Sequence, residues 1–346
     1  DIYTSGAVID SDTANVAITN HLPDIKILDF LTGLFKMFNL TAYYIDDEND
    51  PEYNETTPVV KIVPLDDYYA DAVNNQSGGI IDISKYINVS SHTVNTSLPF
   101  NEIDFKFEET DTIINENHKQ LAGISFGDSN LPVQTIYPDF FFGKKYEIKV
   151  PFSKLKYERL LGTDIQWGYA AGGDFNAEDS DYSNTNDIVP PKGNYNSTNI
   201  KPLLFYGVRQ TGANNINFSD DSSSTASLVS NYYRPSNTNE TALDNETPAD
   251  FSINFDSEID EWSGQENLNS LFDVFYQNYI RSVFDKNKRM FKFEAYFPPS
   301  FLIHYKLNDQ LKIQDVVYRI NSITTNLTTG KSTLELINLN AEEIVE

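Results

Sequence analysis

The sequence predicts an α+β protein that is mainly β, and three observations carry that prediction. Short runs of alternating apolar and polar residues recur along the chain, as half-buried strands require. One stretch, residues 21–63, changes from a helical period to a strand period and resumes as a second strand after an acidic turn. Long polar loops rich in Asn, Ser, Thr and Asp separate the ordered stretches, above all between Gly162 and Asp250.

In residues 21–63, Pro23 and Asp24 open a segment where Ile27, Leu28, Leu31, Leu34, Phe35 and Phe38 recur at three- and four-residue steps. That spacing puts them on one face of an amphipathic helix. Asn39 closes it, because asparagine tolerates the left-handed conformation at a helix end. A strand follows from Leu40 to Ile45, aromatic and β-branched in content. The acidic turn from Asp46 to Pro51 leads to a second strand from Val59 to Val63. Further on, Ile81 to Ile83, Ile103 to Phe107 and Tyr146 to Phe152 alternate as strands, and Ile113, Ile114 and Leu121 mark a short helix between Asp111 and Leu121.

From Gly162 the pattern is loop, with one buried strand expected from Leu203 to Val208. Ser263 and Glu266 fit a capping box that opens a helix on Leu268, Leu271, Phe272, Phe275, Tyr279 and Val283. A turn at Asp285 to Lys288 precedes an alternating strand from Phe291 to Ala295, which Pro298 and Pro299 end. The close is a hairpin, Val316 to Leu327 and Ser332 to Leu339, turning at Thr328 to Lys331.

Composition closes many routes to function. Lys and Arg number 25 against 51 Asp and Glu, for a formal net charge of −26. Nucleic-acid and anionic-lipid surfaces both need basic clusters, so neither is expected as a ligand. Cys is absent, which excludes disulfides, thiolate nucleophiles and Cys-ligated metals. Aromatic residues make up 13% of the chain, far more than a disordered acidic tail carries. The chain begins Asp1-Ile2-Tyr3 without a methionine, as a processed chain or a fragment does. No apolar run approaches the ~18 residues of a membrane span, so no membrane partner is expected.

No catalytic constellation is legible. His21, His92, His118 and His304 form no metal-binding spacing, and each reads as a surface or packing residue. Gly168 to Gly173 lacks the Lys-Ser/Thr ending of a phosphate loop. Asp174, Asn176, Glu178, Asp179 and Asp181 offer oxygen ligands at close spacing. The EF-hand pattern is broken, with Asp179 at its sixth position and Thr185 at its twelfth, so a solvated acidic loop is the expectation. A glycosidase pair has its only foothold in Trp167 near Asp164 and Trp262 near Glu261. Catalytic, cofactor-binding and metal residues are therefore assigned nowhere, and no enzyme activity is expected. One run, Phe140, Phe141 and Phe142, reads as a buried strand or as an exposed patch awaiting a neighbouring subunit.

Two stretches, Leu22 to Tyr43 and Val317 to Lys331 continuing through Leu334, Glu335 and Leu336, resemble segments of tail and baseplate structural proteins of tailed bacteriophages. The helix–strand–turn–strand unit also resembles the small α/β module of baseplate hub proteins. Together these cover about a fifth of the chain. The resemblance implies a virion component with β-barrel or tube-like domains joined by small α/β modules. It also implies a homo-oligomer, a trimer, that joins the tail tube to the baseplate and spike, with genome DNA as a passenger. An acidic channel surface would repel phosphates, and the Phe and Tyr surplus would supply apolar interfaces. Hub proteins carry no catalytic residues as hubs, so no site is transferred.

The expected organisation has four stretches. Residues 1–79 hold an N-terminal strand and the α/β module, and 80–161 a β domain. Residues 162–262 are the acidic loop region with its strand, and 263–346 a helix with the C-terminal hairpin or barrel part. Two other function classes remain open, a carbohydrate-binding receptor or adhesin module using the 162–250 loops and a glycoside hydrolase using a carboxylate pair.

Overall fold

The computed structural model describes residues 25–45, 48, 50–75, 80–96, 100–131, 143–159, 166–167, 171–172, 196–197, 201–218, 227–239, 251–259, 266–267, 269–285 and 287–340. The first elements are α1 (Ile27–Met37), β1 (Leu40–Tyr44), β2 (Val60–Pro64), α2 (Leu65–Asn75), β3 (Ile81–Asp82), a 3-10 turn (Ser84–Tyr86) and β4 (Ile87–Thr96). Next come β5 (Glu102–Glu108), α3 (Ile113–Ala122), β6 (Ser129–Leu131) and β7 (Lys145–Ser153). The short strands β8 (Glu158–Arg159), β9 (Gln166–Trp167), β10 (Ala171–Gly172) and β11 (Asn196–Ser197) precede the long pair β12 (Tyr206–Phe218) and β13 (Ser227–Ser236). After β14 (Glu258–Ile259) and β15 (Glu266–Asn267), a π-helical turn (Phe272–Tyr276) runs into α4 (Gln277–Val283). The chain ends on β16 (Arg289–Tyr296), α5 (Pro299–His304), β17 (Gln310–Ile313), β18 (Val316–Thr325) and β19 (Lys331–Asn338).

The fold is mixed and strand-rich, and its described sheets are open, none of them closing into a barrel. Two compact units share the chain. One comprises residues 1–33, 105–129 and 149–271, the other residues 34–104, 130–148 and 272–346. The chain passes between units within α1, β5 and β7, at the start of β6 and just before the π-helical turn at Phe272. No described helix is long and apolar enough to cross a membrane.

The second unit is built on a six-stranded sheet of order β3-β17-β18-β19-β16-β4, antiparallel except where β3 meets β17. The C-terminal hairpin forms where expected and lies at its centre. Leu334 and Leu336 of β19 and Phe293 and Ala295 of β16 are buried with Leu311, Tyr318 and Ile320 in one core. Gly330 turns the hairpin at a φ of 70°, a left-handed value that glycine adopts without strain, and its carbonyl accepts from the Phe297 amide at 3.2 Å. Across the sheet, Lys292 pairs with Glu335 at 3.3 Å and Lys331 with Glu294 at 2.8 Å, cross-strand ion pairs on the opposite face.

The helix and the two paired strands of the module form as read, while Asp46, Asp47 and Asn49 of the acidic turn lie outside the described residues. Asn39 takes a φ of 46°, and its side-chain amide donates to the Phe275 carbonyl at 2.8 Å. β1 and β2 then pair from Leu40 with Pro64 to Tyr44 with Val60. The buried side of α1 differs from the expected one. Gly33 and Met37 are buried and Phe30 is half-buried; of the expected inner face, Leu34, Phe35 and Phe38 are half-buried while Ile27, Leu28 and Leu31 are exposed. The helix carries two apolar stripes, and periodicity alone cannot tell which one packs.

In the first unit, Phe255 lies against Phe105 and Phe107 with ring centroids 5.2 and 5.1 Å away. α3 matches the short helix expected there. Thr112 caps it, its hydroxyl accepting from the Asn115 amide at 3.3 Å, and Gly123 closes it at a φ of 76°.

Two expectations are corrected and a third is extended. Glu266 lies in β15, paired opposite Ile259, so it is no helix cap, and helical structure begins only at Leu271. The 162–250 region holds the β12–β13 hairpin as well as short strand pairs, and β12 starts at Tyr206 with Phe205 exposed before it. Its Gln, Thr and Asn residues form a polar strand, which an apolar pattern search reads as loop. Pro298 and Pro299 end β16 but also open α5, proline being at ease at a first helical position.

Candidate functional site

Every described candidate for chemistry is held by a structural partner. The His92 ring stacks on Phe293 at 6.0 Å, and His304 Nδ1 lies 2.6 Å from the Ser300 carbonyl oxygen. His118 meets Phe126 edge-on, and burial, followed by the nearby Lys156 ammonium, keeps its imidazole below the ordinary histidine range. Among the described residues, no group of three or more His, Asp and Glu is placed to hold a metal ion.

A cleft of the first unit lies between β5 and α3 and is lined by Phe107, Glu108, Glu109, Lys119, Asp128 and Lys154. Its carboxylates are engaged. Glu108 pairs with Lys149 at 2.8 Å and Glu109 with Lys119 at 3.2 Å, while Asp128 accepts from the Phe107 amide at 2.9 Å. Buried Lys154 donates to the Ile253 carbonyl at 3.2 Å and lies over the Phe107 ring. These pairs close the cleft as a packing joint.

In the second unit, Lys145 bridges Glu102 and Asp104, and Asn130 donates to both carboxylates. Hydrogen bonding to Asp104, and then to Glu102, holds the Lys145 ammonium above the ordinary lysine range. Elsewhere in that unit the Arg319 guanidinium lies over Tyr69 at 4.8 Å and Tyr279 at 5.8 Å, a cation–π clamp joining β18 to α2 and α4. The neighbouring Tyr68 hydroxyl is pushed up to about 12 by burial and by Tyr69. Tyr276, also buried, donates to the Lys36 carbonyl and is raised too. Such groups stay protonated and neutral, which suits a tyrosine-rich joint.

Among the described residues, what remains unpartnered is apolar surface. Ile27 and Leu28 of α1 are 80% and 72% exposed. On the β1–β2 pair, Ala42 lies opposite Ile62 and Tyr44 opposite Val60, and all four share one exposed face. A third apolar strip runs along β4, where Val89 and Val94 are exposed.

Phe140, Phe141 and Phe142 lie outside the described residues, as do the 174–181 loop, His21, Asp164, Glu261 and Trp262. Trp167 is in β9, opposite Glu158 of β8. Sequence reasoning missed the exposed β1–β2 face, although its signal was present: strand alternation puts Ala42, Tyr44, Val60 and Ile62 on one side, while Tyr43 on the other side packs on Tyr68 of α2. No protein-family model, no curated protein and no solved structure matches the chain.

Proposed function

We propose that the chain is a structural virion protein of a phage tail baseplate, hub-like, that works as a homo-oligomeric joint between the tail tube and the baseplate or spike. The observation that carries this reading is the bare apolar surface on the module that resembles the hub α/β unit. Ile27 and Leu28 of α1 and the Tyr44, Val60 and Ile62 face of β1–β2 are exposed on a chain of net charge −26. Copies so charged repel each other, and uncharged apolar contacts are what let them assemble. In this reading the barrel- or tube-like walls arise on assembly, trimeric in symmetry. Acidic side chains line the passage, so DNA slides by without binding.

Light scattering on the purified chain tests this first, with a mass that is a multiple of three chains as the expected result. Antibody labelling of phage particles in electron micrographs is expected to decorate the tail end. A clean monomer that binds or hydrolyses glycans overturns the assignment in favour of an adhesin or a hydrolase.

A further inference from the structure

The six-stranded sheet of the second unit has one short edge and one long one. β3 is two residues long, whereas β4 runs for ten, and among the described residues β16 is the only strand beside it. Long outer strands are normally protected by charges, proline or bulges, because their unpaired backbone groups invite another strand. β4 has no proline and no charge. The stretch from Tyr86 to Asn101 around it is the longest in the chain without Asp, Glu, Lys or Arg. Its one protection is a bulge near its start, where the register on β16 slips between Asn88 and His92. There the Ser90 amide donates to Asn88 Oδ1 at 3.2 Å, and His92 Nδ1 lies 3.1 Å from the Val89 carbonyl oxygen.

Past the bulge, residues 92–96 pair regularly with Phe293 to Arg289. Val94 stands opposite Phe291 on the core side of the sheet and is 45% exposed, while Phe291 is only partly buried. The apolar core therefore reaches the sheet edge and stops uncovered.

We propose that the edge from His92 to Thr96 pairs antiparallel with the same edge of a second copy, across a two-fold axis at Val94. The exposed backbone groups call for a strand. The charge balance selects which strand: two chains of net charge −26 can meet closely only where charge is missing, and this is the longest such stretch. A basic partner has no charge here to complement. Centred on Val94, the pairing sets Val94 against its own copy, Thr93 against Asn95 and His92 against Thr96. The two valines then cover each other and Phe291, extending the core across an isologous contact. This contact stands independently of the virion assignment and adds a two-fold to whatever oligomer the chain forms.

The chain has no cysteine, so one placed at Val94 is the sole thiol. Directly opposed residues in an antiparallel pair sit about 4.5–5.5 Å apart at Cα, within disulfide reach. On mild oxidation, V94C is expected to form a covalent dimer, while T57C, an exposed loop position, remains uncrosslinked. V94K is expected to halve the assembly mass in sedimentation while melting as the parent does. Crosslinking of V94C no faster than T57C overturns the proposal and leaves the edge to a strand of another protein. A folded V94K of unchanged mass overturns it equally, whether or not the mass is a multiple of three chains.

Discussion

Gly33 sits inside α1, where helix propensity and packing pull in opposite directions on an added methyl group. A Cβ at this position would lie 2.6 Å from Pro151 Cδ and 2.8 Å from both Pro151 Cγ and Phe152 Cε2. Non-bonded carbons prefer about 3.5–4.0 Å. Propensity alone favours alanine over glycine by about 0.8–1.0 kcal/mol, whereas overpacking costs about 1–3 kcal/mol. The neighbours decide the outcome. Pro151 is a rigid ring, and Phe152 is fully buried with its ring edge-on to Phe30 at 5.5 Å. The clash therefore outweighs propensity, and Gly33→Ala is expected to lose about 1–2 kcal/mol. Urea denaturation followed by circular dichroism measures it, with exposed Thr32→Ala as the propensity control. At about 2–4 °C per kcal/mol, a thermal melt reads the same loss. A Gly33→Ala protein as stable as the parent, or more stable, refutes the reasoning.

Two further perturbations probe the cores. Leu334 is fully buried at the centre of the six-stranded sheet, and Leu334→Ala is expected to lose about 2–5 kcal/mol of unfolding free energy; a loss below about 1 kcal/mol in urea titration contradicts the assignment of that core. Burial, and then Lys156, lower the His118 pKa, so the unfolded chain binds this proton more readily than the folded one. His118 then has no effect on stability well above its ordinary value of about 6.5, and the fold loses stability as pH falls through that value. Relative to H118Q, the parent is expected to lose stability between pH 8 and pH 5, and parallel stability curves argue against the buried placement.

Local chemistry was legible wherever it had one solution. Asn39 ends α1 in a left-handed conformation because few residues tolerate it, and the alternation of residues 291–295 and 332–338 allows only a strand with one side inward. The same logic found the short helix after Thr112. α2 escaped notice because its segment, from Leu65 to Asn75, has weak apolar periodicity and takes its place from Tyr68 packing on Tyr43 at 5.1 Å.

From the sequence alone came the mixed, strand-rich class, the helix–strand–turn–strand module, the terminal hairpin and the acidic balance. These follow from residue spacing and residue chemistry, which act over a few neighbours. Tertiary structure alone decided which stripe of α1 is buried, that β3 joins β17 in parallel, and that β4 lies at an edge. Those choices depend on partners distant in the chain: Pro151 and Phe152 for Gly33, β17 for β3, and β16 for β4. An apolar stripe or a free strand edge records only that something must cover it, and the chain must fold before it is clear which ones remain bare.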